Sequence, residues 1–334
     1  AEQLVPSVGG IPLIPENIVA LEATAGWSSN SQVQQDAVVA VQNQDAFNWG
    51  YDPFHWMTPE GSYATDGNQN GGDRTREYRE MVEALHDMDL RVVQDLVFNH
   101  TAAAGQADMS VLDRVVPGYY HRLNAVGAVE TSTCCSNIAT ENLMAEKIMV
   151  DSVVTLAKTY KLDGFRFDLM GHHSLENMVN VRNALNELTV AADGVDGKSI
   201  YLYGEGWDFG EVAGGALFEQ ATQTNIAGSD IGAFNDRLRD AVRGGGPFDD
   251  DQRTEQGFGT GLYVDPNEVA LAKHTEAELL ANLLHSEALI KIGLAGSLKD
   301  YPVPTADGQY VLGKNLDYNG QPAGYTHSTQ ESVN

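Results

Sequence analysis

The chain has 334 residues, and its 47 acidic and 20 basic residues give a formal net charge of −27. This excess of negative charge repels nucleic acid and anionic membrane surfaces, so we expect neither as a partner, whereas neutral sugars remain compatible. No run of about 18 apolar residues occurs, and we therefore predict no membrane span. The length exceeds that of most single domains other than barrels and large sandwiches.

The first part of the chain carries little pattern. Residues 1–47 are rich in Ser, Asn and Gln and lack clear periodicity, so we interpret them as an irregular lead-in or insertion before a domain over residues 48–334. Residues 1–6 lack a basic region followed by an apolar core, and no signal segment is predicted within the chain.

Three helix-then-strand units follow one another along the chain. Apolar residues recur at helical spacing in residues 78–88, 143–160 and 175–188. Each stretch precedes a short, mostly apolar run, and the three runs cover residues 91–98, 164–168 and 199–205. Repeated α-then-β units of this size predict an α/β fold in which helices cover a parallel sheet.

The polar residues of the predicted strands lie at the carboxyl ends. Asn99 and His100 end the first strand, Asp168 ends the second and Glu205 ends the third. Barrel enzymes build their sites at this end of the strands. No Gly-x-Gly-x-x-Gly sequence follows any of the strands, which disfavours a nucleotide-binding sheet. We therefore predict a (β/α)8 TIM-type barrel rather than an open, doubly wound sheet.

Asp168 and Glu205 are the candidate catalytic residues, because an unpaired carboxylate at a buried strand end is costly and needs a chemical reason. Alternation places Arg166 on the same face as Asp168, where its charge favours the ionised carboxylate of a nucleophile. Near that carboxylate, Glu205 would lose its proton less easily, as a general acid requires. Retaining glycosidases hold two such carboxyls about 5–5.5 Å apart. A structural Arg–Asp pair and a hydrogen-bonded buried glutamate are the alternatives.

Three further residues are candidates for binding a sugar. His100 is placed to donate hydrogen bonds to a hydroxyl group, and Tyr51 and Trp207 each offer an aromatic surface for a sugar ring. The alternative is that the histidine and the two rings serve packing, and the residues alone do not decide between these interpretations.

Two patterns raise the question of a metal. The spacing of a calcium loop is matched by Asp66, Asn68, Asn70 and Glu77. The segment before this loop does not look helical, so we expect a solvated turn and keep a structural calcium as the alternative. His172 and His173 are neighbours without a suitable cysteine partner, and we assign no metal ligand to the chain. Two-carboxylate sugar chemistry requires no cofactor.

The chain contains two cysteines. Cys134 and Cys135 are adjacent. A disulfide between neighbouring residues is strained and rare, and we therefore expect two reduced or partly buried thiols.

Several of these segments match a known family in sequence and in order. The chain resembles type I pullulanases, the starch-debranching enzymes of the α-amylase superfamily (glycoside hydrolase family 13), from about residue 48 to its last residue. The similar segments are residues 48–53 (NWGYDP), 95–100 (DLVFNH), 164–171 (GFRFDLMG), 203–208 (YGEGWD) and 234–248 (FNDRLRDAVRGGGPF).

By this resemblance, Asp168 is the nucleophile and Glu205 the general acid/base, while Arg166, His100 and Tyr51 line the subsite for the cleaved glucose unit. The implied reaction is hydrolysis of α-1,6-glucosidic branch linkages in pullulan, amylopectin or related α-glucans, with retention of configuration. The resemblance also implies a secreted or cell-surface protein. An isoamylase, an α-1,4-acting amylase and a non-catalytic α-glucan-binding fragment are the alternatives.

The resemblance further implies that parts of the family's barrel lie outside these 334 residues. Members of the family have a first barrel strand before the matched region and further strands after it, one of which carries a third acid. We therefore expect an incomplete barrel with open sheet edges. We also expect much lower activity from this chain alone than from a complete relative.

Overall fold

The computed structural model describes residues 7–8, 11–12, 26–27, 32–33, 36–37, 40, 51–53, 55–246, 249–251 and 254–334. The predicted lead-in over residues 1–47 falls mostly outside this description, and residues 48–50 fall outside it entirely. Within the lead-in, Ser7–Val8 (β1) and Ile11–Pro12 (β2) pair as a short antiparallel ladder.

A parallel sheet lies at the centre of the described chain. The strands after β2 are Val93–Leu96 (β3), His100–Thr101 (β4), Ser136–Asn137 (β5), Gly164–Phe167 (β6), Tyr201–Gly204 (β7), Gly232–Phe234 (β8), Pro302–Pro304 (β9), Tyr310–Leu312 (β10), Asp317–Tyr318 (β11), Gln321–Pro322 (β12) and Ser332–Val333 (β13). Five of them form one sheet in the order β13-β8-β7-β6-β3, with every pair parallel. The others pair antiparallel as β4–β5, β9–β10 and β11–β12.

The sequence predicts β3, β6 and β7 of this sheet but not β8 and β13. The two missed strands have three and two residues, which is too short for an alternating pattern to stand out. The chain after about residue 297, where the sequence shows no clear periodicity, contains the two small hairpins and β13.

The α-helices after residue 50 include the three that the sequence predicts. In chain order they are Gly72–His86 (α1), Leu112–Val115 (α2), Leu143–Tyr160 (α3), Leu175–Asn186 (α4), Val190–Asp193 (α5), Asp236–Arg243 (α6), Glu268–Lys273 (α7) and Glu276–Leu294 (α8). Helix α4 begins after Ser174, whose Oγ accepts from the Asn177 N–H at 3.0 Å. None of the helices in the described ranges is long and apolar enough to cross a membrane.

The main core lies between the sheet and helices α3 and α4. Phe165 and Phe167 of β6 are completely buried on the side away from Arg166. Met149 of α3 and Leu185 of α4 belong to the same buried cluster. The α/β class predicted from the repeated units is therefore confirmed.

Gly204 lies where the end of β7 meets β6. A Cβ atom at this position would lie 2.5 Å from the Phe167 carbonyl oxygen and 2.9 Å from the Met170 Cβ. We expect Gly204→Ala to lower the free energy of unfolding by about 1–3 kcal/mol, because the added methyl group overpacks the strand ladder. Urea denaturation measures the change.

Gly72→Ala is the matched control. Position 72 is exposed at the start of α1, and nothing lies within 4 Å of the added methyl group. The control should be as stable as the parent or slightly more stable. A similar loss in both variants would show that the close approach at position 204 is not the cause.

Candidate active site

The candidate site lies at the carboxyl ends of β6 and β7. Parallel pairing sets Asp95 of β3 opposite Arg166, and Arg166 opposite Tyr203 of β7. Asp168 and Glu205 follow their strands directly, and their N–H groups continue the ladder with bonds of 2.9 and 3.1 Å to carbonyl oxygens of β3 and β6. The pairing of the strands therefore brings both predicted acids to one edge of the sheet.

The guanidinium of Arg166 joins the two predicted catalytic carboxylates. Its Nη1 donates to Asp168 Oδ1 at 3.1 Å and to Asp95 Oδ1 at 2.8 Å. Its Nη2 donates to Glu205 Oε1 at 2.5 Å. Burial alone would lower the pKa of Arg166, but the hydrogen bond to Asp95 and the charges of Glu205 and Asp95 raise it above its ordinary value. Three acids thus surround one permanent cation.

The surroundings of Glu205 shift its carboxyl towards the protonated form. Its side chain is only 14% exposed, and burial raises the pKa of its carboxyl above the ordinary value. The nearby charges of Asp168 and Asp95 add to this rise. The Leu169 N–H, which donates to Oε2 at 2.8 Å, and the charge of Arg166 oppose it. From sequence, a raised pKa of Glu205 is expected from the charge of Asp168 alone. In the structure, burial is the larger cause of the rise.

Asp168 accepts hydrogen bonds on both of its carboxyl oxygens. Oδ1 faces Arg166, and Oδ2 accepts from Asn99 Nδ2 at 2.8 Å. The same Nδ2 lies 2.9 Å from the Asp168 backbone oxygen. These contacts suit an ionised, acceptor-only carboxylate. The Arg–Asp pair considered from sequence is therefore one part of a larger cluster.

His100 and Tyr51 lie beside the cluster and form hydrogen bonds with Asn99 and Asp95, respectively. His100 Nδ1 is 2.5 Å from Asn99 Oδ1, and Nε2 is 2.6 Å from the Tyr51 carbonyl oxygen. The Tyr51 hydroxyl donates to Asp95, and the Arg166 guanidinium lies 5.7 Å from the centroid of its ring. Burial and the bond to Asp95 raise the pKa of Tyr51 to about 12. Sugar binding by the two residues stays a prediction.

Trp207 lies two residues beyond Glu205, at the same end of the sheet. The residue is half-buried. Its backbone lies against Gly171, where a Cβ atom would be 1.9 Å from the Trp207 carbonyl oxygen. Gly171 in turn donates its N–H to the Glu205 carbonyl oxygen at 3.0 Å. The glycine therefore allows this loop to approach, and stacking of the indole on a sugar stays a prediction.

Asp95 and Asn99 are site residues to which the sequence analysis gives no chemical role. Asp95 reads as one polar residue within an apolar run, and its position beside Arg166 depends on the register of two strands. Asn99 is visible from sequence as a polar strand end, but its contact with Asp168 is not. Alignment of the predicted strands at their carboxyl ends does not give this pairing, because it would set Asp95 opposite Phe165, one residue from the observed register.

The expectation of reduced thiols is wrong, because Cys134 and Cys135 form a disulfide. That expectation rests on the rarity of bridges between neighbours, but a bend at residues 132–135 brings the two sulfur atoms together. The bridge lies beside the site, since Cys134 Sγ is 3.4 Å from His100 Nε2.

The candidate calcium loop is held by its own hydrogen bonds. Glu77 accepts from the Thr65 N–H at 2.9 Å and from the Asn68 side-chain amide at 2.5 Å. Asp66 accepts from the Gln69 amide at 3.3 Å. Asn70, the remaining candidate ligand, is exposed. A structural calcium at this loop stays a prediction.

Known proteins share this sequence and this fold. The chain is 43% identical over 311 residues to pullulanase 1, chloroplastic, of Arabidopsis thaliana, covering 92% of this chain and 32% of that protein. It is 44% identical over 310 residues to the pullulanase of Klebsiella aerogenes, covering 91% of this chain and 26% of that protein. By sequence, the chain is a homologue of the pullulanases. No protein-family model matches it.

The folds agree as well. The maltotriose complex of PulA from Klebsiella pneumoniae superposes on this pullulanase homologue with a TM-score of 0.81 at 40% identity, covering 97% of this chain and 33% of that chain. The family resemblance stated from the motifs is therefore confirmed. The chain spans about a third or less of the length of these relatives.

Removal of the Arg166 charge tests how far the cluster depends on it. We expect Arg166→Met to lower the free energy of unfolding at neutral pH by about 3–5 kcal/mol, because three acids lose their common counter-ion. Without the cation, the folded-state pKa values of these acids rise above those of the unfolded chain. Stability then falls as pH increases through the raised values, so the loss should be smaller at about pH 4. Urea denaturation at both pH values measures it.

Arg76→Met is the control for this variant. Arg76 forms an ion pair with Glu80 at 2.7 Å on the surface of α1, and both side chains are more than half exposed. Its removal should change stability little at either pH. An equal loss for Arg166→Met at both pH values would contradict the role of repulsion among the acids.

Proposed function

We propose that the chain is part of a glycoside hydrolase that cleaves α-1,6-glucosidic branch linkages in α-glucans by a retaining, two-carboxylate mechanism. The observation that carries the proposal is the contact of Asp168 and Glu205 with the two terminal nitrogens of one guanidinium. Retaining glycosidases require such a pair, in which one carboxyl is ionised and the other protonated. A (β/α)8 barrel is the fold that we propose for the complete domain.

In the first step, the Asp168 carboxylate attacks the anomeric carbon while Glu205 donates its proton to the leaving oxygen. A covalent glucosyl–enzyme forms and the branch is released with a new hydroxyl group. In the second step, Glu205 takes a proton from water, and the hydroxide oxygen replaces Asp168 at the anomeric carbon. Two inversions give net retention.

Arg166 balances the charges that change during these steps. Asp168 loses its negative charge when the covalent bond forms, and Glu205 gains one when it releases its proton. Because Arg166 donates to both carboxylates through different nitrogens, the cation lies next to the negative charge before and after the transfer. A fixed dipole or charge of this kind requires no rearrangement during the reaction.

The choice of an α-glucan rests on the homologues. Two relatives carry the name pullulanase, and the similar solved structure holds maltotriose. Tyr51, His100 and Trp207 are the residues that we propose for binding the sugar, because they lie around the two acids at the same end of the sheet. A secreted or cell-surface location is part of the same proposal.

Covalent trapping tests the nucleophile without requiring many turnovers. A fluorinated α-glucosyl fluoride forms the glycosyl–enzyme quickly and releases it slowly, since the extra fluorine destabilises both oxocarbenium-like transition states and fluoride is a good leaving group. We expect mass spectrometry of the digested chain to find one added sugar on the peptide that contains Asp168. Asp168→Asn should show none.

Glu205→Gln is the matched comparison, because fluoride departs without the proton that Glu205 supplies. This variant should still be labelled, although it should lose at least about 100-fold in hydrolysis of pullulan. Labelling of another residue, or equal labelling in Asp168→Asn, would contradict the assigned roles. If the parent chain is labelled but releases no reducing ends from pullulan, the mechanism stands, and the low activity expected of this chain alone accounts for the missing turnover.

The pH dependence of kcat/KM tests Glu205 as the acid. Activity requires its protonated form, so the alkaline limb of the profile reports its pKa. Asp95→Asn removes a charge that raises this pKa and leaves Arg166 freer to lower it. Both effects have the same sign, and we expect the alkaline limb to move to lower pH. Asp95→Glu keeps the charge and should leave the limb near its original position; an unmoved limb in Asp95→Asn would contradict the assignment.

A further inference from the structure

A second group of metal-ligating side chains lies beside the candidate active site. Asp52, His100, Cys134 and Cys135 each place one ligand atom within 4.8 Å of the others. Cys134 is exposed and Cys135 is half-buried, so a reductant in solution can reach the disulfide between them. The mechanism proposed above uses neither the two sulfur atoms nor the Asp52 carboxylate.

Four of the six distances between these atoms match those between the ligands of a tetrahedral zinc ion. Cys134 Sγ lies 3.4 Å from His100 Nε2, and Asp52 Oδ1 lies 3.8 Å from the same nitrogen. Asp52 Oδ1 is also 3.8 Å from Cys134 Sγ and 3.5 Å from Cys135 Sγ. In a tetrahedron with ordinary zinc bond lengths, neighbouring nitrogen, oxygen and sulfur ligands lie about 3.3–3.8 Å apart.

In the oxidised chain, the bond between the two sulfur atoms prevents them from binding a zinc ion. Two covalently joined sulfurs are closer than two zinc ligands, and a disulfide carries no thiolate for the metal. Two-electron reduction by a phosphine breaks the S–S bond. The phosphine takes an oxygen atom from water and becomes a phosphine oxide, and the two hydrogens of that water complete the two thiols. Each thiol releases its proton when its sulfur binds a metal.

We propose that reduction of the Cys134–Cys135 disulfide creates a zinc site whose ligands are Asp52, His100, Cys134 and Cys135. The donor set of two thiolates, one imidazole and one carboxylate is one that Zn²⁺ binds tetrahedrally. Zinc on His100 Nε2 displaces the proton that this nitrogen donates to the Tyr51 carbonyl oxygen, and the proton is released to solvent. The metal would therefore act on a residue that also contacts the candidate active site through Asn99.

Cobalt substitution tests the site by its absorption spectrum, independently of any activity. The chain is reduced with a phosphine, separated from it without oxygen, and titrated with Co²⁺. We expect thiolate-to-cobalt charge-transfer absorption and the intense visible bands of tetrahedral Co²⁺, both saturating at one equivalent and lost on addition of Zn²⁺. The oxidised chain should show neither. Because the sequence contains two cysteines, every cobalt–thiolate band has to come from this pair.

Two variants separate the proposed site from metal bound by the thiols alone. Asp52→Asn and His100→Gln should each weaken the apparent cobalt affinity at least about 10-fold, since loss even of a group that only supports a metal ligand costs about 10–100-fold. Cys134→Ser/Cys135→Ser should abolish the bands while its circular dichroism stays that of the parent. Absence of tetrahedral bands in the reduced chain would overturn the proposal. Unchanged affinity in both Asp52→Asn and His100→Gln would overturn it as well.

Discussion

The cluster around Arg166 has one cation and three acids, and this imbalance determines what the site can do. Asp95, Asp168 and Glu205 all contact the same guanidinium. If all three acids were ionised, the cluster would carry a net charge of −2, which is costly around Asp168 and Glu205, whose side chains are largely buried. Burial raises the pKa of the Glu205 carboxyl above its ordinary value. The charges of Asp168 and Asp95 raise it further, so the shortage of positive charge favours a proton on Glu205 over a third ionised acid.

The position of this cluster follows from the hydrophobic core on the other face of the sheet. Phe165 and Phe167 are completely buried, and alternation along β6 then directs Arg166 to the opposite face. A slip of one residue in the pairing of β6 would place the guanidinium in the apolar core and both phenylalanines in the site. Packing of the rings against α3 and α4 therefore fixes the register that sets Asp95 beside Arg166.

What could be predicted from sequence was local, and what could not depends on contacts between distant segments. Asp168 and Glu205 end runs of apolar and glycine residues, so each could be found within a window of a few residues. Asp95 could not, because its partner lies 71 residues away and is defined by strand register. The strands Gly232–Phe234 and Ser332–Val333 carry too few residues for a pattern, and they exist because neighbouring strands pair with them. The sequence does not predict the disulfide, because bridges between neighbouring cysteines are rare and the backbone bend that allows this one is seen only in the structure.

His100 connects the candidate nucleophile, through Asn99, to the disulfide and to the backbone of Tyr51. Its Nδ1 faces Asn99 Oδ1, and Asn99 Nδ2 donates to Asp168. A rotation of the Asn99 amide by half a turn would set its oxygen against the Asp168 carboxylate, so the ring and the carboxylate together fix one orientation of the amide. The other ring nitrogen lies near the disulfide and the Tyr51 carbonyl oxygen. Any change that moves His100 away from Asn99 therefore also weakens the orientation of the amide that donates to Asp168. Such a change acts on the carboxylate without contacting it.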